Sequence, residues 1–331
     1  MSATVSLEEI YAPIAPRLAK VPETILELLS SSNELASDVI RYFFSAQGKL
    51  LRPALTLLGS QLLSDKVSNE KSLISLGASF EIFHCATLIH DDIIDSAHLR
   101  RSLPTVHVKW NPQVAVLVGD YLHDRAIGAI FQHGGAEIVR IFLQTAGQVC
   151  DGEIHELKVK DNFQLQEEEY FDIIDKKTAV LLACALESGA RFSGASDRQA
   201  AALNLFGRLF GAAFQIVDDC LDFTGQEQEF GKTLGKDCAE GVLTLPMIHL
   251  IQNSSPAVQL EIFSIFKSNA PINERFQKLL AMIKESGSLN YAVSKARELC
   301  AQAREQLNFF DLSSGRTSLE KLAEYVIDRN V

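Results

Sequence analysis

The stretch LIHDDIID at residues 88–95 has a counterpart in FQIVDDCLDF at residues 214–223. Each contains the pattern DDxxD within an apolar segment of helix-forming residues. The first and third aspartates of each pattern are four residues apart, so they share one face of a helix. Like charges at this spacing cost about 0.2–0.5 kcal/mol per pair, and apolar surroundings add a desolvation cost. We therefore expect bound cations to compensate six carboxylates, namely Asp91, Asp92, Asp95, Asp218, Asp219 and Asp222.

Clustered carboxylates are typical ligands of Mg²⁺, which also takes oxygen atoms from substrate phosphates. Two such clusters facing each other could hold a diphosphate between shared Mg²⁺ ions. His90 and Cys220 are neighbours of the carboxylates, but a zinc site would need more such ligands at suitable spacing. A helix-dipole contact or a solvated acidic face could explain one motif, and explains two in apolar segments less well.

Helical spacing extends outward from both motifs. Apolar residues recur at helical intervals in long segments, and no Asn-Gly or Asp-Gly turn links two alternating runs. Turn signals at 101–104, 133–135, 193–196 and 253–256 predict helices of about 15–25 residues between them. No linker or change in composition marks a boundary. The prediction is one all-α domain over residues 1–331, a large helical bundle with a deep core.

Composition and charge limit the function classes. The 331 residues include 31 Lys and Arg against 42 Asp and Glu, a net charge of −11, which disfavours nucleic acid as a partner. The six cysteines form no CxxC pair, which predicts reduced, buried thiols. Glu8 and Glu9 disagree with a signal peptide, and no apolar run approaches the ~18 residues of a transmembrane segment. We expect a soluble, cytoplasmic protein.

Basic residues occur close to the acidic motifs. They lie in GKLLRP at 48–53, in Arg100-Arg101 and in Lys176-Lys177-Thr178. Each alone would be taken for ordinary surface charge. Together in an acidic chain they indicate an anion site, because Arg offers bidentate contacts to phosphate and Lys offers a point charge.

With PTVH at 104–107 and GKTLGKD…TLP at 231–246, these motifs follow the order found in one family. The sequence resembles the trans-isoprenyl diphosphate synthases, or polyprenyl synthetases. The resemblance implies an isoprenoid synthase fold around a central cavity, a homodimer, and a Mg²⁺-dependent prenyltransferase. Such an enzyme condenses isopentenyl diphosphate with an allylic diphosphate into a longer all-trans polyprenyl diphosphate.

The resemblance also implies roles for individual residues. All six aspartates would bind Mg²⁺ and diphosphate, and Thr178 would lie beside the reacting carbons. The allylic diphosphate would be held by Arg100, Lys177, Gln215 and Lys232. Isopentenyl diphosphate would be held by Lys49, Arg52, His84 and Arg101.

Two positions depart from the family pattern. Val242 stands where a lysine usually precedes TLP, which removes one cation from the allylic site. Ser102 follows Arg101 where glycine is usual, which restricts the backbone if that turn needs a positive φ. Reduced activity or a changed substrate could result.

Product length, by the resemblance, depends on residues one turn before the first motif. Ala86 and Thr87 are small there, which favours a long product, although Phe83 and Phe80 could form a deeper floor. Alternatives are a synthase of geranylgeranyl or farnesyl length, and a non-catalytic partner subunit of a heteromeric synthase, which Val242 would favour. A class I terpene cyclase fits less well, because it needs no site for isopentenyl diphosphate.

Overall fold

Helices dominate the part of the chain that the computed structural model describes, residues 6–46, 48–64, 67–224, 241–268 and 270–328. Up to residue 94 they are α1 (Leu7–Tyr11), α2 (Ala15–Leu18), α3 (Val21–Leu28), α4 (Glu34–Ser45), α5 (Leu51–Leu63) and α6 (Glu70–Ile94). The middle of the chain contributes α7 (Val106–Lys109), α8 (Pro112–Val159), α9 (Glu167–Ile174), α10 (Val180–Phe192) and α11 (Asp197–Thr224). The last are α12 (Leu245–Gln252), α13 (Pro256–Lys267), α14 (Ile272–Glu285), α15 (Ser288–Gln306) and α16 (Ser314–Asp328). The predicted all-α class is confirmed.

The core is built where the long helices pack together. Helix α6 lies along α8, while α10 packs between α5 and α11, and α15 covers α11. Glycine permits the close approach of α5 and α10, since a Cβ on Gly189 would overlap the carbonyl of Thr56. Burial of these apolar faces supplies the main stabilising term of the fold.

Helix α8 is longer than the sequence predicts. Its Gly135 has φ +80° and ψ −178°, which interrupts the helix within the predicted 133–135 break. The chain continues as helix on both sides, so the break bends α8 instead of ending it. A positive φ suits glycine, which lacks a Cβ.

One predicted boundary is wrong. Residues 101–104 do not end a helix, because α6 already ends at Ile94. They belong to a short antiparallel hairpin in which β1 (Leu99–Arg100) pairs with β2 (Leu103–Pro104). This hairpin brings Arg100 back to the end of α6, a contact that apolar periodicity does not reveal.

Two further expectations need correction. Helices α6 and α11 have the length and composition of a membrane span, although 78% and 61% of their most apolar windows are buried inside the protein. Core burial accounts for this apolar character. Cys150 is exposed, Cys85, Cys184, Cys220 and Cys300 are buried as predicted, and Cys238 lies outside the described residues.

Candidate active site

The two aspartate motifs lie at the C-terminal ends of α6 and α11. In both, the middle aspartate is buried, with Asp92 2% and Asp219 6% exposed. The outer aspartates are half-buried: Asp91, Asp95, Asp218 and Asp222. Helical geometry therefore gives each motif a partly exposed pair on one face and an inward-pointing middle carboxylate.

Asp92 is held by Arg100 of the β hairpin. The Arg100 Nε donates to both carboxylate oxygens at 2.8 and 2.9 Å, and its Nη2 lies 2.8 Å from Oδ1. Such a bidentate pair fixes the guanidinium plane. Asp92 thus anchors a residue predicted to bind diphosphate.

Asp219 is held by neutral donors instead. The Tyr170 hydroxyl, from the middle of α9, donates to Oδ2 at 2.6 Å, and Gln215 Nε2 donates to Oδ1 at 2.8 Å. Gln215 Oε1 in turn accepts a hydrogen bond from the Thr178 hydroxyl, with 2.8 Å between the two oxygens. Tyr170 is a site residue that was not predicted from the sequence.

Lys177 and Thr178 lie on a π-helical turn over Asp175–Ala179, between α9 and α10. Such single π turns are frequent at functional sites. The turn packs closely on α8, since a Cβ on Gly152 would come 2.8 Å from the Lys177 backbone nitrogen. The Lys177 ammonium lies 3.0 Å from a Glu153 carboxylate oxygen and 2.5 Å from Glu156.

Glu153 and Glu156 also link the two motifs electrostatically. Burial raises the pKa of Asp91 to about 7, with Glu153 raising it further and Lys177 lowering it. Burial likewise raises the pKa of Asp219 to about 7, and Glu156 contributes in the same direction. Sequence reasoning missed both glutamates, although their spacing in DGEIHE at 151–156 places them on one face of α8.

This donor set fits a divalent cation. It consists of carboxylate oxygens, which Mg²⁺ prefers. Burial and the neighbouring Glu153 raise the pKa of Asp91, so a cation bound beside this carboxylate would favour its charged form. No three His, Cys, Asp or Glu side chains within the described ranges are already gathered as a metal cluster. The predicted residues that could share an ion with substrate phosphate are the outer aspartates.

A basic cluster surrounds His84 on α6. Its pKa lies well below the usual range because the ring is buried and faces Arg52, Arg100 and Arg101. Arg101 Nη1 donates to the Ala46 carbonyl at 2.6 Å, and its guanidinium lies against Gly48, next to the exposed Lys49. The structure thus brings the predicted isopentenyl diphosphate residues to one region, whereas Lys232 lies outside the described residues.

Both departures from the family pattern have structural correlates. Ser102 has φ +62° and Arg101 φ +49°, so the turn does require the left-handed region. A serine there carries strain that glycine would avoid. Val242 is half-buried two residues before Thr244, the N-cap of α12, and supplies no cation.

The predicted chain-length residues lie on α6 below the first motif. Ala86 is buried, and Thr87 is half-buried with its hydroxyl donating to the His84 carbonyl at 2.8 Å. Phe83 packs edge-on against Phe142 of α8 with ring centroids 4.8 Å apart. Phe80 contacts the same ring at 5.9 Å, which makes an aromatic layer between α6 and α8. Phe142 is a further candidate for limiting product length, which the sequence alone did not indicate.

Residues 33–283 match the family described as Polyprenyl synthetase. The chain belongs to the polyprenyl synthetase family. The geranylgeranyl diphosphate synthase of Methanosarcina mazei is 35% identical over 323 residues, 96% of this chain and 97% of that protein. The octaprenyl diphosphate synthase of Haemophilus influenzae is 31% identical over 325 residues, 98% of each.

Solved structures agree with this placement among the polyprenyl synthetases. A polyprenyl synthase from Caulobacter crescentus, described as complexed with calcium and isoprenyl diphosphate, superposes with a TM-score of 0.92. It is 29% identical, and the alignment covers 100% of both chains. The isoprenoid synthase fold and the prenyltransferase class predicted from the sequence are thereby confirmed.

Proposed function

We propose that this polyprenyl synthetase condenses isopentenyl diphosphate with an allylic diphosphate to give a longer all-trans polyprenyl diphosphate. The observation that carries the proposal is the Lys177–Glu153–Glu156 group, which electrostatically connects both aspartate motifs. Carboxylates from both motifs with a lysine cation between their neighbours suit a metal-bound diphosphate leaving group. Arg100 interacts electrostatically with both Asp91 and His84, and so connects this acidic group to the basic cluster.

The outer aspartates Asp91, Asp95, Asp218 and Asp222 would hold Mg²⁺. Bound Mg²⁺ would neutralise charge that develops on the departing diphosphate. Lys177 and Arg100 would add positive charge on the allylic side, with Arg100 oriented by Asp92. The middle aspartates, Asp92 and Asp219, would orient protein groups instead of binding metal, which revises the equal roles expected for the six carboxylates.

The basic cluster would receive the second substrate. Lys49, Arg52 and Arg101 would supply its cations, and His84 would remain neutral and exchange hydrogen bonds with the diphosphate. The double bond of isopentenyl diphosphate attacks the allylic cation left when diphosphate departs. A proton is then lost, with the departed diphosphate as its acceptor. Apolar walls protect the cation from water.

We propose a medium- to long-chain product that is limited by the aromatic layer. Small Ala86 lets the chain pass the first turn below the motif. Phe83 lies eight residues before Asp91, about 12 Å along α6, and meets Phe142 there. A growing apolar chain would stop against these rings or displace them.

The assembly and location form a separate part of the proposal. Helix α8 exposes large apolar side chains that a second copy could cover, including Leu117 at 68% and Phe131 at 61%. This supports a homodimer, and we propose the cytoplasm as its location. A partner-subunit role remains the second candidate, because Val242 removes a cation expected at the allylic site.

Metal-dependent incorporation of labelled isopentenyl diphosphate tests the assignment. Asp91→Asn should lower turnover by at least 100-fold at saturating Mg²⁺, because it removes a metal ligand that acts at the leaving group. Asp311→Asn is the matched control, since Asp311 is exposed between α15 and α16, away from both motifs, and should leave turnover unchanged. Equal activity of both variants would contradict the metal assignment. Inactive wild-type protein that still binds Mg²⁺ and diphosphate would favour the partner-subunit role.

A further inference from the structure

The hydrogen bonds around Asp219 form a chain with a consistent donor direction. Its carboxyl group accepts hydrogen bonds from Tyr170 and from Gln215, and the Gln215 amide oxygen accepts one from Thr178. Gln215 Nε2 lies 2.8 Å from Asp219 Oδ1, so the amide presents its NH₂ group to Asp219. The amide oxygen then faces Thr178, whose hydroxyl donates to it. The position of Asp219 thus sets the orientation of each member of the chain.

We infer that Tyr170 is a positioning residue that fixes, through Asp219 and Gln215, the direction in which the Thr178 hydroxyl points. The inference rests on the proposed function, and on the place beside the reacting carbons that the family resemblance implies for Thr178. With its proton committed to Gln215, the Thr178 oxygen keeps its lone pairs for its other neighbours. A negative dipole end of this kind stabilises an electron-poor allylic carbon.

Burial makes Tyr170 suited to this task. Its side chain is 3% exposed and its hydroxyl lies 2.6 Å from Asp219 Oδ2, so water cannot readily replace it. Without this donor, the carboxylate lacks one of its two observed buried partners. The carboxyl group is then free to rotate, and the Gln215 amide that donates to it would move with it. The Thr178 hydroxyl would lose its acceptor and would be free to turn its proton toward the developing positive charge.

This role differs from metal binding in what it should change. In the proposed function the diphosphates are held by the outer aspartates, Lys177 and the arginines. Gln215, which the resemblance assigns to the allylic diphosphate, is instead hydrogen-bonded to Asp219 and Thr178. Binding of both diphosphates should therefore survive loss of the Tyr170 hydroxyl. The rate of the chemical step should fall, because the dipole acts on charge that develops only in the transition state.

Tyr170→Phe tests the inference, with Tyr291→Phe as its matched control. The Tyr291 hydroxyl donates to the Glu167 carboxylate at 2.7 and 3.0 Å, which is the same kind of bond outside both motifs. Loss of a hydrogen bond to a charged group should lower kcat of Tyr170→Phe by about 10- to 100-fold. Its KM for each substrate, and its affinity for an unreactive allylic thiodiphosphate with Mg²⁺, should change less than about threefold. Tyr291→Phe should change neither quantity.

Side-chain amide NMR gives a readout that does not depend on turnover. The Gln215 NH₂ resonance, assigned by its loss in Gln215→Leu, should shift in Tyr170→Phe and stay unchanged in Tyr291→Phe. An unchanged kcat or amide resonance in Tyr170→Phe would overturn the inference, as would weakened ligand binding that matches the loss of rate. Wild-type protein without condensation activity would refute the proposed function, and the amide resonance would still decide whether Tyr170 orients Gln215.

Discussion

Neighbouring aspartates of the first motif should have opposite effects on the stability of the metal-free protein. Asp92 has a 3% exposed side chain with three close contacts to Arg100, itself 27% exposed. Breaking a fully buried ion pair costs about 3–5 kcal/mol. Because Arg100 keeps some access to water, we expect Asp92→Asn to lower the free energy of unfolding by about 2–4 kcal/mol.

Asp91→Asn should instead stabilise the protein. Its carboxyl pKa rises from 3.8 to about 7, chiefly by burial and then by Glu153, so the charged form is disfavoured in the folded state. At 1.36 kcal/mol per pKa unit this penalty is at most about 4 kcal/mol above pH 7. Residual solvent access reduces it, and we expect a gain of about 2 kcal/mol at pH 8. The gain should shrink as the pH falls from 7 toward 4, because the folded-state carboxyl then becomes protonated.

Urea denaturation followed by circular dichroism, in EDTA at pH 8 and pH 5.5, measures both effects. The midpoints at pH 8 should rank Asp91→Asn above wild type and wild type above Asp92→Asn. Adding Mg²⁺ with inorganic diphosphate should raise the wild-type midpoint more than that of Asp91→Asn, since ligands stabilise the state that binds them. Two variants that shift in the same direction at pH 8 would refute the division between outer and middle aspartates.

Three further predictions concern the turn, the basic cluster and the product. Ser102→Gly should raise stability by about 0.5–1 kcal/mol in urea denaturation, because relief of left-handed strain outweighs the entropy cost of glycine; an unchanged midpoint would mean that the turn is unstrained. The lowered pKa of His84 means that the unfolded chain binds a proton first, so the wild type should lose stability as the pH falls from 6.5 to 5. His84→Asn should reduce this loss by up to about 1.4 kcal/mol per pH unit. Parallel pH profiles of the urea midpoints would contradict this. Phe142→Leu should lengthen the product seen by chromatography, whereas Phe206→Leu on α11 should not; equal products would place the floor elsewhere.

The sequence predicted the features that depend on local spacing. A four-residue interval determines that Asp91 and Asp95 share a face, and the paucity of strand signals predicts the helical class. The position of the interruption at Gly135 followed from a local glycine signal, although the helix continues beyond it. The family resemblance then assigned the basic residues to diphosphates, which no spacing rule could have done.

Contacts between residues on different elements were not predicted. The ion pair of Asp92 requires the β hairpin to bring Arg100 to the end of α6, and the hydrogen bond to Asp219 requires Tyr170 on α9. Glu153 and Glu156 gain their importance from the π-helical turn that places Lys177 against α8. Each contact joins residues on different elements, so periodicity along one helix carries no information about it.

Product analysis of the wild-type protein tests the central claim most directly. Purified protein is incubated with Mg²⁺, labelled isopentenyl diphosphate and, separately, dimethylallyl, geranyl and farnesyl diphosphates, and the dephosphorylated alcohols are separated by chromatography. We expect a ladder of all-trans products that ends at one length and disappears in EDTA. Absence of elongation with every primer, in folded protein that binds Mg²⁺ and diphosphate, would refute the proposed synthase activity.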